Sequence, residues 1–273
     1  MPEEQLPEFA TPASGPPIRI GTKGGPYRRR IRLAKVGAGE VWGGLEDDFH
    51  HFEVRIQHDG RHVTGVSMEP FRWPWTTCPD AGPTLEPLVG MVLSERCTAV
   101  AGAADPRQAC THQFDLAGLC VSHAARGLDG RQYDIELPPI VDRKTTPRLW
   151  RDGDLLLEWH LELQEDGYRA LVAPEPFTDA PWKGGFMRWA DGHLDAEHAE
   201  AAVVLRRACD IGMGRGMNLE AIPVAQDLAG LMTGVCYSMQ VERMPVAFRA
   251  MGTIRDFADN PDDLLRDRPD RSN

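Results

Sequence analysis

Two residue types suited to metal or acid–base chemistry occur together at Cys110-Thr111-His112-Gln113-Phe114-Asp115-Leu116-Ala117-Gly118-Leu119. A thiol and an imidazole stand two residues apart, at the start of an apolar run with helical spacing. A cysteine at a helix N-terminus has a lowered pKa, because the free N–H groups and the dipole favour thiolate. That would serve metal ligation or nucleophilic attack. Two further polar segments could converge on this one: Asp47-Asp48-Phe49-His50-His51 and Trp73-Pro74-Trp75-Thr76-Thr77-Cys78-Pro79. Thiolate, imidazole and carboxylate together suit zinc or iron. The expected ligands are Cys78, Cys110, His112 and Asp47. The expected acid–base groups are Asp48, His50 and His51, since a histidine near neutral pH transfers protons when a carboxylate orients it. Adjacent strand residues point to opposite faces, so one of His50 and His51, and one of Asp47 and Asp48, should face the site. The alternative keeps Cys78 and Cys110 in the core and His112 as a capping or solvated residue.

Other polar groups carry less. His193 and His198 are five apart and read as surface helix residues. Gly212-Met213-Gly214-Arg215-Gly216 follows a helix, whereas a phosphate cradle opens one; it reads as a helix stop. Cys120 and Cys209 lie in apolar helical contexts and belong to the core. Trp73, Trp75, Trp182 and Trp189 fall in expected loops, either lining a pocket for an apolar or aromatic ligand or packing loops over a sheet.

The elements that would position these groups alternate between strand and helix patterns. Ile31–Val36 and Val41–Leu45 read as strands. Phe52, Val54 and Ile56 share one face of a third, and Asp59-Gly60 turns it back into Val63–Val66. Pro83–Val92 reads as a short helix and residues 94–109 as a loop with at most one turn. Thr111–Ala125 is a helix with Leu116, Leu119, Cys120 and His123 on one face. A second meander starts near Arg131, with Asp-Gly turns at Asp152-Gly153 and Asp166-Gly167. Residues 173–192 read as a loop, Leu194–Ile211 as the best helix and Gln226–Gln240 as another. The expected fold class is α+β: antiparallel sheets, an N-terminal meander plus a second three-stranded meander, with packed helices. The expected division is an extended or disordered arm at 1–27, one domain at 28–258 (halves about 28–128 and 129–258) and a flexible tail at 259–273.

Composition narrows the function class. The 273 residues carry a formal net charge of −11, which argues against nucleic-acid binding or docking on an anionic membrane. The only basic run, Arg28-Arg29-Arg30 with Arg32, reads as a solvated strand entrance. No apolar run approaches the roughly 20 residues of a membrane span, and the acidic, Pro-rich start is unlike a signal peptide. A cytoplasmic location with reduced cysteines is the expectation. The six cysteines include no CxxC pair, and there is no nucleotide-binding loop, so no nucleotide cofactor is expected.

Leu45–Phe52, Trp75–Pro79, Cys110–Leu116 and Gly234-Val235-Cys236-Tyr237 together resemble a bacterial family catalogued only as a domain of unknown function, over about residues 28–265. That resemblance implies no reaction. Residues 30–126 also resemble, more weakly, the NifU/IscU-type iron–sulfur scaffolds, in which three cysteines, an aspartate and a histidine hold zinc or a cluster. By that resemblance Cys78 stands at the second cysteine, Cys110 and His112 near the final pair in a different order and spacing, and Asp47 or Asp48 at the aspartate. No cysteine occupies the 43–51 segment, so His50 or His51 would replace the first.

The function expected from these residues is a metal-dependent enzyme of lyase, isomerase or hydrolase type. Its substrate would be a small apolar or aromatic molecule, with homodimerisation compatible. The alternatives are a non-enzymatic iron–sulfur scaffold or a protein with no metal site.

Overall fold

The structure is a computed structural model and describes residues 24–164, 169–182 and 184–266. The fold is α+β: a seven-stranded antiparallel sheet and a three-stranded antiparallel sheet, with helices packed on them. Strand β1 (Tyr27–Gly37) stands at the centre of the large sheet. On one side it pairs with β2 (Glu40–Asp47), followed outward by β3 (His51–His58) and β4 (Val63–Arg72). On the other it pairs with β5 (Gly130–Leu137), followed by β7 (Arg148–Arg151) and β8 (Asp154–Glu158). Lys144–Thr145 (β6), His160–Leu163 (β9) and Arg169–Ala173 (β10) make the small sheet. The second meander is therefore divided: its first strands extend the N-terminal sheet, and only β9, β10 and β6 stand apart.

Period-two alternation sets the buried face. Tyr27, Arg29, Ile31 and Leu33 point inward from β1, and Arg131, Tyr133, Ile135 and Leu137 from β5. Phe52, Val54 and Ile56 are fully buried on β3. Each such side chain contributes about 2 kcal/mol of transfer free energy. Helix α1 (Thr111–Arg126) crosses this face and ends at Gly127 in the left-handed region (φ 63°), a conformation that glycine adopts without strain. Gly43 on β2 permits its close approach, because a Cβ there would lie 2.6 Å from Cys120 Sγ. Helix α3 (Ala196–Gly212) lies beside it, started by Asp195, whose side chain accepts from the backbone of Glu197 and His198.

Several expectations are corrected. The 173–192 loop contains α2 (Phe186–His193). Residues 226–240 form short turns and a single helical turn, α4 (Ala229–Met232), because Gly230 and Gly234 (φ 76°) interrupt the apolar pattern. Of the expected helix Pro83–Val92, residues Pro83–Leu88 belong to a 3₁₀ stretch over Cys78–Leu88 and the rest is extended or turn. The expected tail is docked as far as Leu265: Leu264 and Leu265 are buried, and Leu265 N–H donates to Glu46 at 2.7 Å. At the other end, Tyr27 of the expected arm is core. The Asp166-Gly167 turn, residues 1–23 and residues 267–273 lie outside the described residues. The tryptophans pack: Trp159, Trp182, Trp189, Phe177 and Phe186 form an aromatic cluster with ring centroids 5.1–6.4 Å apart.

Among the described residues, no helix is long and apolar enough to cross a membrane.

Candidate active site

The β2–β3 hairpin closes on Asp47. Its backbone N–H donates to the His50 carbonyl at 2.9 Å, and Oδ1 accepts the backbone N–H groups of Phe49 and His50, both at 2.8 Å. This is the local turn that an aspartate side chain supports. The same Oδ1 lies 3.0 Å from His50 Nδ1. A carboxylate only accepts, so Nδ1 carries the hydrogen and Nε2 of His50 is left unprotonated. Asp47 Oδ2 accepts from the Tyr27 hydroxyl at 2.7 Å and from Arg29 Nε and Nη2 at 3.0 and 2.5 Å. Arg29 is thus buried and paired, whereas a solvated strand entrance was expected. Its parity with Tyr27 and Ile31 was the signal that places it inward.

His112 enters from the first turn of α1. Its ring stacks on that of His50, with centroids 3.6 Å apart and planes 26° from parallel. Both are buried, and among the described residues His112 Nε2 has no hydrogen-bond partner. Burial lowers the His50 pKa; Asp47 opposes the shift, and Arg29 and Arg72 reinforce it. Burial also holds His112 well below 6.5, with His50 and Arg29 adding to the effect. Asp47 is buried too, yet His50 and Arg29 hold it well below the ordinary carboxylate value.

Asp47, His50 and His112 form a candidate metal-binding group, with one donor atom from each within 4.8 Å of the others, the only such group among the described residues. Two imidazoles and a carboxylate suit iron or zinc. The fit is partial. Both oxygens of Asp47 already accept three hydrogen bonds each, and the Arg29 guanidinium opposes a further positive charge. Asp47 matches better the carboxylate that orients a histidine, an arrangement shared by metal ligands and general bases.

The other expected site residues lie elsewhere. Asp48 pairs with Arg215 at 2.5 Å. His51 lies 3.6 Å from Glu46 and against Phe71, so His50 and His51 part as strand alternation requires. Cys78 and Cys110 do not join the histidines. They lie with Cys236, Trp75 and Phe52 in a second core cluster, where Cys78 Sγ is 3.5 Å from Ser238 Oγ. Burial raises all three thiols, Cys78 to about 12, so burial outweighs any lowering of Cys110 by its helix terminus.

A cavity of about 120 Å³ adjoins His112. Ile31 and Leu45 of the sheet, Leu116 and Leu119 of α1, and Val203 and Val204 of α3 give it apolar walls; Arg29, His112, Asp115 and Arg207 supply the charged and polar ones. Sequence patterns do not mark it, since six separate elements build it: β1, β2, the 3₁₀ turn Cys97–Gly102, α1, α2 and α3. None of Trp73, Trp75, Trp182 and Trp189 lines it. No family model matches the chain, and no curated protein matches it either.

Proposed function

We propose that this protein is an enzyme that transfers a proton on a small, largely apolar organic molecule held in the cavity beside His112. The observation that carries this reading is His112 itself. It is a buried imidazole with an unpartnered Nε2, on a cavity wall, stacked on a histidine whose tautomer Asp47 fixes. An imidazole held neutral at pH 7 is competent as a base. With its Nδ1 protonated, His112 accepts a proton from carbon next to a carbonyl and returns it at another position. Proton abstraction of this kind belongs to isomerase and lyase chemistry.

A second reading is favoured by the three clustered donor atoms. In it a zinc or iron ion is held by His50 and His112, with Asp47 giving up part of its hydrogen bonding. The ion would polarise a substrate oxygen.

One experiment separates the two. The protein is incubated in D₂O with a panel of small cyclic ketones, and solvent exchange at the carbon next to the carbonyl is followed by NMR beside elemental analysis. The first reading expects exchange without bound metal, reduced about 10²-fold or more by His112→Gln. Near-stoichiometric zinc or iron that His50→Ala and His112→Ala abolish would establish the second. Undiminished exchange in His112→Gln would sink the first.

A further inference from the structure

We infer that the cavity beside His112 takes an uncharged cyclic or branched compound of about six to eight non-hydrogen atoms, bearing a single hydroxyl or carbonyl group. This rests on His112 being the polar group of the proposed site, and it names the substrate class that the site accepts.

Size comes first. At about 120 Å³ the cavity is far below the range of drug-sized pockets and somewhat below a cavity of about 150 Å³ that holds benzene. A single ring or a short branched chain fills it. Charge comes second. Two guanidiniums stand on the wall, and each already has a carboxylate: Arg29 pairs with Asp47 at 2.5 Å and Arg207 with Asp115 at 2.6 Å. Their charges balance, so an anionic or cationic ligand would bring a buried charge with no counter-charge. Polarity comes third. The hydroxyl of Thr98, also on the wall, is spent on Asp191 at 2.6 Å. His112 Nε2 is left without a partner among the described residues. That atom is covered by its neighbours, so the ring shifts for a ligand to reach it; it then accepts from a hydroxyl in one tautomer and donates to a carbonyl in the other, and a second polar group finds no partner there. Ala101 and Pro106, both exposed, stand at the outer end of the lining and mark where such a molecule enters.

The test uses the full chain and four probes of similar bulk: cyclohexanone, phenol, cyclopentanecarboxylate and cyclohexylammonium. Binding is read by ligand-observed NMR and by calorimetry. Cyclohexanone and phenol are expected to bind, with the two ions about a hundredfold weaker. Ala101→Trp closes the entrance from an exposed position and is expected to weaken both neutral probes at least about tenfold. Val204→Phe fills the cavity from within and is expected to do the same. Equal binding of charged and neutral probes, binding indifferent to both variants, or no binding of either neutral probe overturns the inference. Binding of the neutral probes without solvent exchange into cyclohexanone leaves the ligand class standing and removes the proton-transfer reading. The two can therefore fail separately.

Discussion

His50 and His112 lie face to face with ring centroids 3.6 Å apart, one from the β2–β3 hairpin and the other from the first turn of α1. Stacked rings do not aim nitrogens at each other, so the pair is no direct proton relay. Each ring must exchange protons with something beside the stack. For His50 that is fixed at one end by Asp47; His112 stands on the cavity wall.

The stack sets a pH dependence. Both histidines have native pKa values below the ordinary 6.5, and His123 is lowered to about 4 by burial and Arg131. A group with a depressed native pKa binds fewer protons folded than unfolded, so its contribution is complete above 6.5 and is lost as pH falls toward the native value. Urea midpoints should hold from pH 8 to about 6.5 and then decline. In His112→Leu the decline should be shallower. NMR titration should show both rings titrating below the ordinary 6.5, His112 well below it. A midpoint that rises on acidification from pH 6.5 to 5 would contradict the arrangement.

Asp47→Asn tests the buried pair. The variant keeps shape and the two backbone hydrogen bonds but leaves Arg29, 1% exposed, without its counter-charge. Removing one partner of a buried pair costs about 3–5 kcal/mol. Tyr27→Phe, which deletes one hydrogen bond to the same carboxylate, should cost about 1 kcal/mol. The double variant should fall short of the sum, because both act on one group. Urea unfolding checks all three.

Much of this site was legible in the chain, but not its grouping. Asp47, His50 and His112 were each marked by residue type, and the α+β class followed from alternation: Phe52, Val54, Ile56 and Tyr133, Ile135, Leu137 are all buried. The expectation that Cys78 and Cys110 would join them failed at the level of helix geometry. Successive residues of a helix turn by about 100°, so a cysteine and a histidine two apart at a helix start face nearly opposite ways. Cys110 goes to Cys236 and His112 to the sheet. Spacing carried that information; residue type drew attention away from it. Parity along β1 likewise marked Arg29 as inward, although a basic run invites the opposite reading.

Glu200 is a buried anchor that no motif announces. Its carboxylate accepts from the Ser122 hydroxyl, from Arg126 at 3.0 Å and from the Tyr133 hydroxyl at 2.5 Å, and it lies 3.5 Å from Arg131. It thereby ties α3 to both α1 and β5. Glu200→Gln should cost about 3 kcal/mol or more, since Arg126 loses its paired charge. Arg126→Met in that background should recover part of the loss. Denaturant unfolding gives the energies, and hydrogen exchange should show α3 loosening first.

Arg249 makes the contrasting case. It is buried and stacks on Trp75 with its guanidinium carbon 3.7 Å from the ring centroid, but its side-chain hydrogen bonds to the Ile222 and Pro74 carbonyls are both 3.4 Å. Among the described residues it forms no ion pair. Burial pulls its pKa down to about 10. Arg249→Met keeps most of the bulk on Trp75 and removes the desolvated charge. Its stability should change by less than about 1.5 kcal/mol, against a loss of several for Arg29→Met, which strands the Asp47 carboxylate. Equal losses in the two variants would show that Arg249 has a partner of comparable strength.

The seating of α1, which carries His112, depends on the missing side chain of Gly43. A Cβ there would meet Cys120 Sγ at 2.6 Å, Leu116 Cδ1 at 3.0 Å and Leu33 Cδ2 at 3.1 Å. The backbone of a mid-sheet strand cannot retreat, so the helix must. Overpacking of this kind costs about 1–3 kcal/mol. Gly43→Ala should therefore lower the unfolding midpoint and disturb the His50–His112 stack, visible as altered histidine NMR shifts. Cys120→Ala alone opens a small void and should also destabilise, by about 1 kcal/mol. Combined with Gly43→Ala it removes the sulfur that the new methyl strikes. The double variant should then be more stable than Gly43→Ala and regain the native histidine shifts. If the double variant merely sums the two losses, the close approach of β2 and α1 at this point does not set the position of His112.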